Sequence, residues 1–539
     1  MFNTKISDLD DFLAPAQDWV VQLMTVKPTN NENHVEKGAM KIELESDLKE
    51  ESMTDGIRPD LIKKNKDNVA TITLSDCLAC NGCVTTAETM LIQQHSIDRV
   101  EELLSNADKE PCVFSISQQS LYSLWVLYET EPKKLFKVIN QVMGTMGAAK
   151  TYDLSLSTQF ILSESYDEFV TRYIKSEKYQ IVKECLDKLK DKSDEEIERD
   201  IKEIKTQISK APSTPVLCSE CPGWVCYAEK VVGEVALPYM SVVKSPQQIQ
   251  GRLLKSFTNK KLFWAEESKD VPENIMHICV MPCYDKKLEA VRPVGQFQNN
   301  DDISDNKTIN EVDAVIATHE LADLFKKRNI DIKGLLADLN SEELDLPKDD
   351  NFDKDVTEIT REAISSPYYS AYDQAQSSNG YSEFIFKRAA KELYNIDITS
   401  DKLEYKQCRN KDFHEVSLEI HGIPVMKFAL AYGFRNIQNI IRNIKRKKCM
   451  YDYVEIMACP GGCLNGGGQI KPKDLDMTST DLLDNLKSIQ SQSLELIQPQ
   501  NLAGLTSLYN DIESERIKEI MKTAFTVIKT ETSVANLKW

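Results

Sequence analysis

The chain lacks the features expected of a membrane protein, an exported protein or a nucleic-acid-binding protein. No stretch of its 539 residues approaches the roughly 18–20 consecutive apolar residues of a membrane span. Its first residues, MFNTKISDLDDFL, contain no basic segment followed by an apolar one, so we expect no signal peptide. Positive charge is in the minority, and the net charge of −19 argues against binding to nucleic-acid phosphates. We therefore expect a cytoplasmic protein with no membrane and no nucleic-acid partner.

Histidine is also scarce. The six histidines are scattered, and no two have the spacing of a metal-binding pair. Cysteine, in contrast, occurs fourteen times. Because the cytosol keeps thiols reduced, metal ligation is favoured over disulfide bonds, and sulfur is the expected ligand. The length predicts two to four domains, and the composition, 28% charged and 41% apolar, is typical of a soluble globular protein.

The middle of the chain has the rhythm of an α/β fold. Four β-rich runs each precede a helical segment, namely CVFSIS, TPVLC, HICVMPC and VDAVIAT. This alternation predicts mainly parallel sheets. Ligands of such sheets collect at the carboxyl ends of the strands.

Cysteines stand at two of these strand ends. Cys221 is followed by Pro222 and Gly223, which force a turn and leave its sulfur at the tip of a strand. Cys283 follows Pro282 in the same way, and Lys286 and Lys287 come within the next helical turn. Cations beside a thiolate lower its pKa and offset the negative charge of a thiolate-ligated cluster.

A third cysteine motif lies within Val454–Gln469, VEIMACPGGCLNGGGQ. Cys459 and Cys463 are four residues apart, and three consecutive glycines follow them, Gly466, Gly467 and Gly468. Glycines allow the backbone to approach a metal centre closely, and their N–H groups are predicted to point at sulfide or another anion.

A fourth motif lies near the N-terminus. Cys77, Cys80 and Cys83 form a C-x2-C-x2-C array, which is the first three-quarters of a ferredoxin pattern and is favoured as an iron–sulfur site over a zinc ribbon. The fourth cysteine of that pattern is missing, because residues 84–87 are VTTA. A complete site needs a distant ligand.

The other segments are interpreted more plainly. The loop SVVKSPQQ is predicted to be polar and irregular, because Pro246 breaks a helix, and residues 177–210 are predicted to be a charged, solvated helical insert. The segments LLDNLKSIQ and SERIKEIMKTAFTVIK predict helices in the tail. The remaining thiols are interpreted as core or surface residues: Cys112, Cys185, Cys218, Cys226, Cys279, Cys408 and Cys449.

Three of these motifs together resemble the active-site motifs of iron-only hydrogenases. They are CPGW at 221–224, MPCYDKKLEA at 281–290 and MACPGGCLNGGGQ at 457–469, joined by SPQQ at 245–248. The chain is still more similar to the hydrogenase-like cytosolic iron–sulfur assembly factors, the Nar or nuclear prelamin A recognition factor-like family. The shared features are LSDCLACNGC at 74–83, AYGFRNIQN at 431–439 and the terminal Trp539.

The resemblance implies a fold and a cofactor set. The expected fold is α/β and iron-only hydrogenase-like, with two lobes of mainly parallel sheets, a small N-terminal cluster-binding segment and a helical C-terminal extension. It implies that Cys221, Cys283, Cys459 and Cys463 hold one [4Fe–4S] cluster without a di-iron unit, with Lys286 compensating charge. A second [4Fe–4S] cluster is implied at the N-terminal cysteines, although no cysteine lies between the DLDDF segment and Cys77 to supply its fourth ligand.

Two departures separate the chain from a working hydrogenase. Glu220 stands where those enzymes carry a proton-transferring cysteine, and Ile470 replaces the proline of their GGGQP motif. The function implied is therefore that of a non-enzymatic assembly factor in the cytoplasm, with the nucleus as a second location. It would link an upstream cluster scaffold to a targeting complex that reads Trp539. An iron-only hydrogenase and a zinc-stabilised interaction protein are the alternatives.

The same interpretation divides the chain into four regions. They are an N-terminal docking segment and loop at 1–70, a ferredoxin-like segment at 71–110, a hydrogenase-like large domain at 111–475 and a helical extension with a C-terminal Trp tail at 476–539.

Overall fold

The computed structural model describes part of the chain in detail. The described residues are 40–43, 69–72, 92–130, 132–189, 192–211, 213–256, 274–298, 308–338, 380–398, 403–408, 410–493 and 520–528. The chain divides into two compact units, one of residues 1–90 with 530–539 and one of residues 91–529. In the first unit two strands pair antiparallel, β1 (Met40–Glu43) and β2 (Val69–Ile72).

All other described elements belong to the second unit. Its strands are β3 (Cys112–Ile116), β4 (Ala148–Asp153), β5 (Val216–Cys218), β6 (Met276–Met281), β7 (Gln296–Gln298), β8 (Thr308–Asn310), β9 (Ala314–Ala317), β10 (Lys406–Gln407), β11 (Phe413–Ile420), β12 (Ile423–Tyr432) and β13 (Tyr453–Met457). Its α-helices are α1 (Ile97–Ser105), α2 (Gln118–Tyr128), α3 (Pro132–Thr145), α4 (Ser155–Ile174), α5 (Glu177–Leu189), α6 (Asp194–Lys210), α7 (Pro222–Tyr227), α8 (Pro246–Lys255), α9 (Asp285–Ala290), α10 (Thr318–Lys327), α11 (Ile332–Asp338), α12 (Tyr381–Tyr394), α13 (Phe434–Lys445) and α14 (Ser479–Ser493).

One sheet has four strands in the order β4-β3-β6-β9, and every pair in it is parallel. Helices cover such a sheet on both faces, so its strands are continuous apolar runs, and the side chains of β3 and β9 are buried along their whole length. This confirms three of the four strands that the sequence predicted.

The second sheet has five strands in the order β10-β11-β12-β13-β5. The fourth predicted strand, β5, pairs parallel with β13, and β13 pairs parallel with β12. The pairs β10–β11 and β11–β12 are antiparallel, so this sheet is mixed. The β11–β12 hairpin turns at His421 and Gly422, whose positive φ values of 50° and 71° suit a tight two-residue turn.

The charged segment 177–210 forms helices α5 and α6, as predicted, but it is not simply solvated. Ile204 and Ile208 of α6 are buried in the largest hydrophobic core, together with Val182 of α5. Lys178 forms a buried ion pair with Asp452, the residue before β13. This insert therefore packs onto the five-stranded sheet.

Two local predictions are wrong. Pro246 does not break a helix but begins α8, with Ser245 as the N-cap. In the first turn of a helix a backbone N–H has no acceptor within the helix, so proline is tolerated there. The tail segment predicted as helical at 514–529 is not helical at 523–528, because the Thr523 and Ile528 N–H groups bond to neighbouring segments instead of within the segment. The predicted helix around LLDNLKSIQ is confirmed as α14. None of the helices in the described ranges combines the length and apolar character needed to span a bilayer.

Candidate iron–sulfur site

Four cysteines lie just beyond the carboxyl ends of three strands. Cys221 follows β5, Cys283 follows β6, and Cys459 and Cys463 follow β13. Strand β6 belongs to the four-stranded sheet and the other two strands are neighbours in the five-stranded sheet. The site therefore forms where the carboxyl ends of both sheets meet, as predicted for ligands of parallel sheets.

Cys221 is positioned by the residues on both sides of it. It is the N-cap of α7, and Pro222 begins that helix. The Cys221 backbone N–H donates to Ser219 Oγ at 3.1 Å, and the Ser219 hydroxyl donates to the carbonyl of Ile456 in β13 at 2.5 Å. Ser219 thus fixes the Cys221 loop to the strand that precedes Cys459.

The glycine loop packs directly on the Cys283 loop. The Gly468 N–H donates to the Pro282 carbonyl at 2.9 Å. A Cβ added at Gly466 would lie 2.2 Å from that same carbonyl oxygen, and one at Gly468 would lie 3.2 Å from Cys283 Cα. Only glycine allows the two backbones to come this close.

This packing corrects the role expected for two of the glycine N–H groups. The Gly466 N–H donates to the Cys463 carbonyl at 3.1 Å, and the Gly468 N–H is taken by Pro282. Neither is available to sulfide. The Gly467 carbonyl accepts a hydrogen bond from the Lys471 ammonium. In the described loop the glycines hold the segment that carries Cys459 and Cys463 against the segment that carries Cys283.

The four cysteines line one cavity of about 600 Å³, a volume that includes space open to solvent. Apolar side chains, among them Met281 and Met457, form much of the remaining wall. The four thiols line this cavity together, and within the described ranges no group of three His, Cys, Asp or Glu side chains is arranged to hold a single metal ion.

Burial strongly affects the thiols in this cavity. It raises the pKa of Cys221 to about 11, with a further contribution from Asp285. Burial also raises the pKa of Cys283 and that of Cys459 well above the usual value, helped by Asp285 at Cys283 and by Cys221 at Cys459. In the absence of a metal centre these raised pKa values favour the protonated thiols, and binding of a metal centre must release the protons.

Lys286 is a cation that lines the same cavity as the cysteines. Its ammonium group donates to the Glu220 carbonyl at 2.7 Å and pairs with Glu289 at 3.1 Å. Burial disfavours its charge, but Glu289, Glu220 and the neighbouring thiols keep its pKa above the usual value. The side chain therefore stays charged beside the site.

Lys287, expected to act beside the thiolate as well, has a different position. Its ammonium group donates to the His95 carbonyl at 2.7 Å and pairs with Glu320 at the start of α10. Neighbouring residues of a helix point in different directions, so only one of two adjacent lysines can face the cavity.

Glu220 contributes both its backbone and its side chain. Its carboxylate accepts a hydrogen bond from Cys463 Sγ at 3.6 Å, and the Tyr381 hydroxyl lies 3.5 Å from the other carboxylate oxygen. A carboxylate therefore occupies the position next to Cys221 at which the sequence departs from hydrogenases.

A buried polar network supports Lys286 and was missed from the sequence. Glu289 accepts hydrogen bonds from the Ser245 hydroxyl at 2.8 Å and from the Gln247 amide, and that amide also donates to the Lys286 carbonyl at 3.1 Å. The sequence SPQQ could have indicated part of this network, since Ser followed by Pro commonly begins a helix and Gln247 lies in the first turn of that helix.

The remaining predicted residues divide into two groups. Cys77, Cys80, Cys83 and Trp539 lie outside the described residues. Of the thiols interpreted as structural, Cys112, Cys185, Cys218 and Cys279 are part of hydrophobic core clusters, Cys226 and Cys449 are buried, and Cys408 is half-buried. All eleven described cysteines are free thiols.

Comparison with known proteins identifies the fold of the chain. Residues 191–467, just over half of the chain, match the family described as "Iron only hydrogenase large subunit, C-terminal domain". A solved [FeFe]-hydrogenase, studied for oxygen inactivation of its H cluster, has a TM-score of 0.56 and 18% identity, covering 79% of this chain and 99% of its own. A variant of the apo [FeFe]-hydrogenase HydA1 from Chlamydomonas reinhardtii has a TM-score of 0.54 and 18% identity, and the match covers 79% of this chain and 98% of that one. The chain has an α/β fold resembling [FeFe]-hydrogenase, with parallel sheets.

Its sequence relatives define the family within that fold. Protein NAR1 of Arabidopsis thaliana is 38% identical over 471 residues, 87% of this chain and 83% of its own. The probable cytosolic Fe-S cluster assembly factor narfl of Dictyostelium discoideum is 36% identical, over 98% and 97% of the two chains. Cytosolic iron-sulfur assembly component 3 of Mus musculus is 33% identical, over 99% and 98%. The chain belongs to this family of hydrogenase-like cytosolic iron–sulfur cluster assembly factors.

Proposed function

We propose that the protein acts in the assembly of cytosolic and nuclear iron–sulfur proteins and holds a [4Fe–4S] cluster on Cys221, Cys283, Cys459 and Cys463. The observation that carries this proposal is the meeting of these four thiols at one cavity. Thiolates are the usual ligands of iron–sulfur clusters, and four of them suit a [4Fe–4S] centre. When bound, the cluster would supply iron and sulfide for delivery, or accept an electron.

The residues around the cavity suit that group. The glycine loop allows the segment that carries Cys459 and Cys463 to pack directly on the Cys283 loop, since a Cβ at Gly466 would lie 2.2 Å from the Pro282 carbonyl oxygen. Lys286 supplies a buried positive charge that favours thiolates over thiols.

A second cluster is proposed at Cys77, Cys80 and Cys83 in the N-terminal region, with its fourth ligand open. In this proposal residues 1–70 are a docking segment, 71–110 bind the second cluster, 111–475 form a two-lobed hydrogenase-like domain and 476–539 form the extension. Upstream scaffold proteins deliver an iron–sulfur cluster to the chain, and a cytosolic targeting complex binds the chain through Trp539.

We further propose that the protein does not turn over hydrogen. Glu220 stands next to Cys221, where hydrogenases carry a proton-transferring thiol, and Ile470 replaces the proline of their GGGQP motif. The competing hydrogenase function predicts hydrogen evolution from reduced viologen by the iron-loaded protein. A sustained rate in that assay would exclude the non-enzymatic proposal.

Anaerobic reconstitution with iron and sulfide tests the cluster proposal directly. Iron per chain is measured for the parent and for Cys77→Ala, Cys459→Ala and Cys408→Ala, with Mössbauer and EPR spectra. We expect Cys459→Ala to lose the iron of one cluster and Cys408→Ala, a control thiol remote from the ligand loops in sequence, to match the parent. The Cys77→Ala result reports whether the N-terminal site is filled. Stoichiometric zinc without iron in protein purified without oxygen would contradict the proposal.

A further inference from the structure

An extended segment near the C-terminus lies against the elements that carry the cysteines. We call residues 520–528 the strap. The Lys244 N–H donates to the Met521 carbonyl at 2.8 Å, and the Thr523 N–H donates to the Val242 carbonyl at 2.7 Å. Met521 itself is 1% exposed and part of the largest hydrophobic core. These contacts fix the first half of the strap beside α8.

The second half of the strap converges on Glu229. The Thr526 N–H donates to Glu229 Oε1 at 3.2 Å, and the Ile528 N–H donates to the Glu229 carbonyl at 3.1 Å. Glu229 is 3% exposed and lies in the π-helix Ala228–Val232, which continues α7 without a break. Because Cys221 caps α7, the strap holds the helix that begins at a cysteine of the site.

Glu229 also holds the segment that follows the Cys283 helix. Both of its carboxylate oxygens accept from the Arg292 guanidinium, at 2.7 and 2.8 Å. Arg292 lies just after α9, the helix that carries Lys286 and begins two residues beyond Cys283. One buried carboxylate therefore joins the strap, the Cys221 helix and the Cys283 helix.

A second cavity lies at this junction. It measures about 380 Å³, is partly open to solvent, and is lined by Thr523 and Phe525 of the strap together with Pro222, Glu289 and Arg292. Pro222 also lines the cysteine cavity, so the strap and the cysteine cavity border the same Cys221 loop.

We propose that Glu229 and the strap form a clamp that fixes the spacing between Cys221 and Cys283. Glu229 is a positioning residue that acts through α7 and α9 and does not touch the thiols. The inference rests on the proposed function, in which these thiols hold a cluster. It predicts that the clamp controls how firmly the cluster is retained and does not act equally on all four cysteines.

The test uses the full chain and three substitutions. Glu229→Ala removes the acceptor for Arg292 and Thr526, Glu229→Gln keeps a side-chain oxygen, and Ile528→Pro removes one N–H of the strap without touching the buried ion pair. Glu101→Ala is the matched control, because Glu101 also accepts from two cations, Lys327 and Arg328, but lies on α1.

Two rates are measured. In the iron-loaded protein, loss of iron to a chelator should be about 10- to 100-fold faster in Glu229→Ala, which is the usual effect of removing a contact that supports a metal ligand. The acceleration should be smaller in Glu229→Gln, and the rate should be unchanged in Glu101→Ala. In the metal-free protein, alkylation followed by mass spectrometry should be several-fold faster at Cys221 and Cys283 relative to Cys459.

The outcomes separate the clamp from its alternatives. Equal acceleration at all four cysteines, or no change in either rate, would overturn it. If Glu229→Ala does not fold, Ile528→Pro decides, with the same pattern expected at smaller size. If the parent takes up no iron, the proposed function fails, while the alkylation rates of the metal-free chain still test the clamp.

Discussion

The Gly468 N–H donates to the Pro282 carbonyl at 2.9 Å, one residue before Cys283. This hydrogen bond joins the loop that carries Cys459 and Cys463, from the five-stranded sheet, to the loop that carries Cys283, from the four-stranded sheet. The His319 N–H donates to the Gly468 carbonyl at 3.1 Å, so α10 holds the same glycine through its other backbone group. The relative position of three cysteines depends on one short stretch of glycine backbone.

A methyl group at Gly466 should separate these loops. In Gly466→Ala the new Cβ would lie 2.2 Å from the Pro282 carbonyl oxygen, which is backbone and can yield only if the Cys283 loop moves. We expect a loss of about 1–3 kcal/mol in the free energy of unfolding, as for other overpacked sites, and a several-fold lower iron content after reconstitution. Urea unfolding of the metal-free protein and iron analysis measure the two effects.

Gly144→Ala is the control for that substitution. Gly144 lies in the last turn of α3, and a Cβ there meets nothing within 4 Å. Because alanine has a higher helix propensity than glycine, the substitution should stabilise the protein by at most about 1 kcal/mol and leave the iron content unchanged. Equal iron in both variants would contradict the close-packing role of the glycine loop.

The two adjacent lysines of α9 should differ in their effect on the cluster. Lys286→Met removes the cation that faces the cysteines, whereas Lys287→Met removes one that pairs with Glu320 on the other side. Both leave a carboxylate without its partner and should destabilise the fold, by up to about 3–5 kcal/mol for a buried pair. Only Lys286→Met should make cluster reduction harder, because reduction adds negative charge.

The expected change is a reduction potential more negative by roughly 50–130 mV, corresponding to about 1–3 kcal/mol for one electron. Redox titration followed by EPR measures it in parent and variants. A shift of the same size in Lys287→Met would show that the potential responds to general loosening of the helix instead of to the charge of Lys286.

The sequence predicted the strands well because a strand and its end are local patterns. A buried β-rich run followed by Pro and Cys, as at Cys283, specifies a strand and its end without knowledge of the rest of the chain. The conclusion that the cysteines meet also needed only the rule that parallel strands present their carboxyl ends together. The β11–β12 hairpin could have been predicted, since Gly422 follows an alternating run that ends at Ile420.

The errors concern what each segment meets in the fold. The N–H groups of Gly466 and Gly468 were expected to reach sulfide, but neighbouring carbonyls take them. The strap was predicted as helix from its spacing, yet Thr523, Thr526 and Ile528 find backbone or carboxylate partners outside it. Such partners are distant in sequence, and no local pattern identifies them.

Removal of Trp539 should weaken binding to the targeting complex without changing the cluster. Truncation of a buried Trp anchor commonly costs about 2 kcal/mol or more, roughly a 30-fold loss of affinity. Affinity for the purified complex and iron per chain are compared between the parent and a chain that lacks Trp539. Lys538→Ala keeps the terminal indole and carboxylate and should bind as the parent does; unaltered binding by the shortened chain would remove the docking proposal.

Glu455, in the middle of β13, gives the metal-free protein a pH dependence of stability. The side chain is fully buried; one carboxylate oxygen accepts from the Ser382 N–H at 3.0 Å and the other is 2.8 Å from the Tyr432 hydroxyl. Burial raises its pKa to about 8 from a usual value of 4.5. At neutral pH the group is therefore protonated in the folded chain and ionised in the unfolded chain.

Because the folded-state pKa is raised, the stability from Glu455 is complete below about pH 4.5 and is lost as the pH rises toward 8. Between pH 5 and 7 its slope should approach about 1.4 kcal/mol per pH unit. Glu455→Gln imitates the protonated acid: its oxygen can accept from Ser382 while its amide donates to the Tyr432 oxygen. We expect parent and variant to have similar stability near pH 5 and the variant to be increasingly more stable up to pH 8. Urea unfolding at each pH, expressed as the difference between the two proteins, cancels the other titrating groups, and a difference that stays constant with pH would show that Glu455 is ionised in the fold.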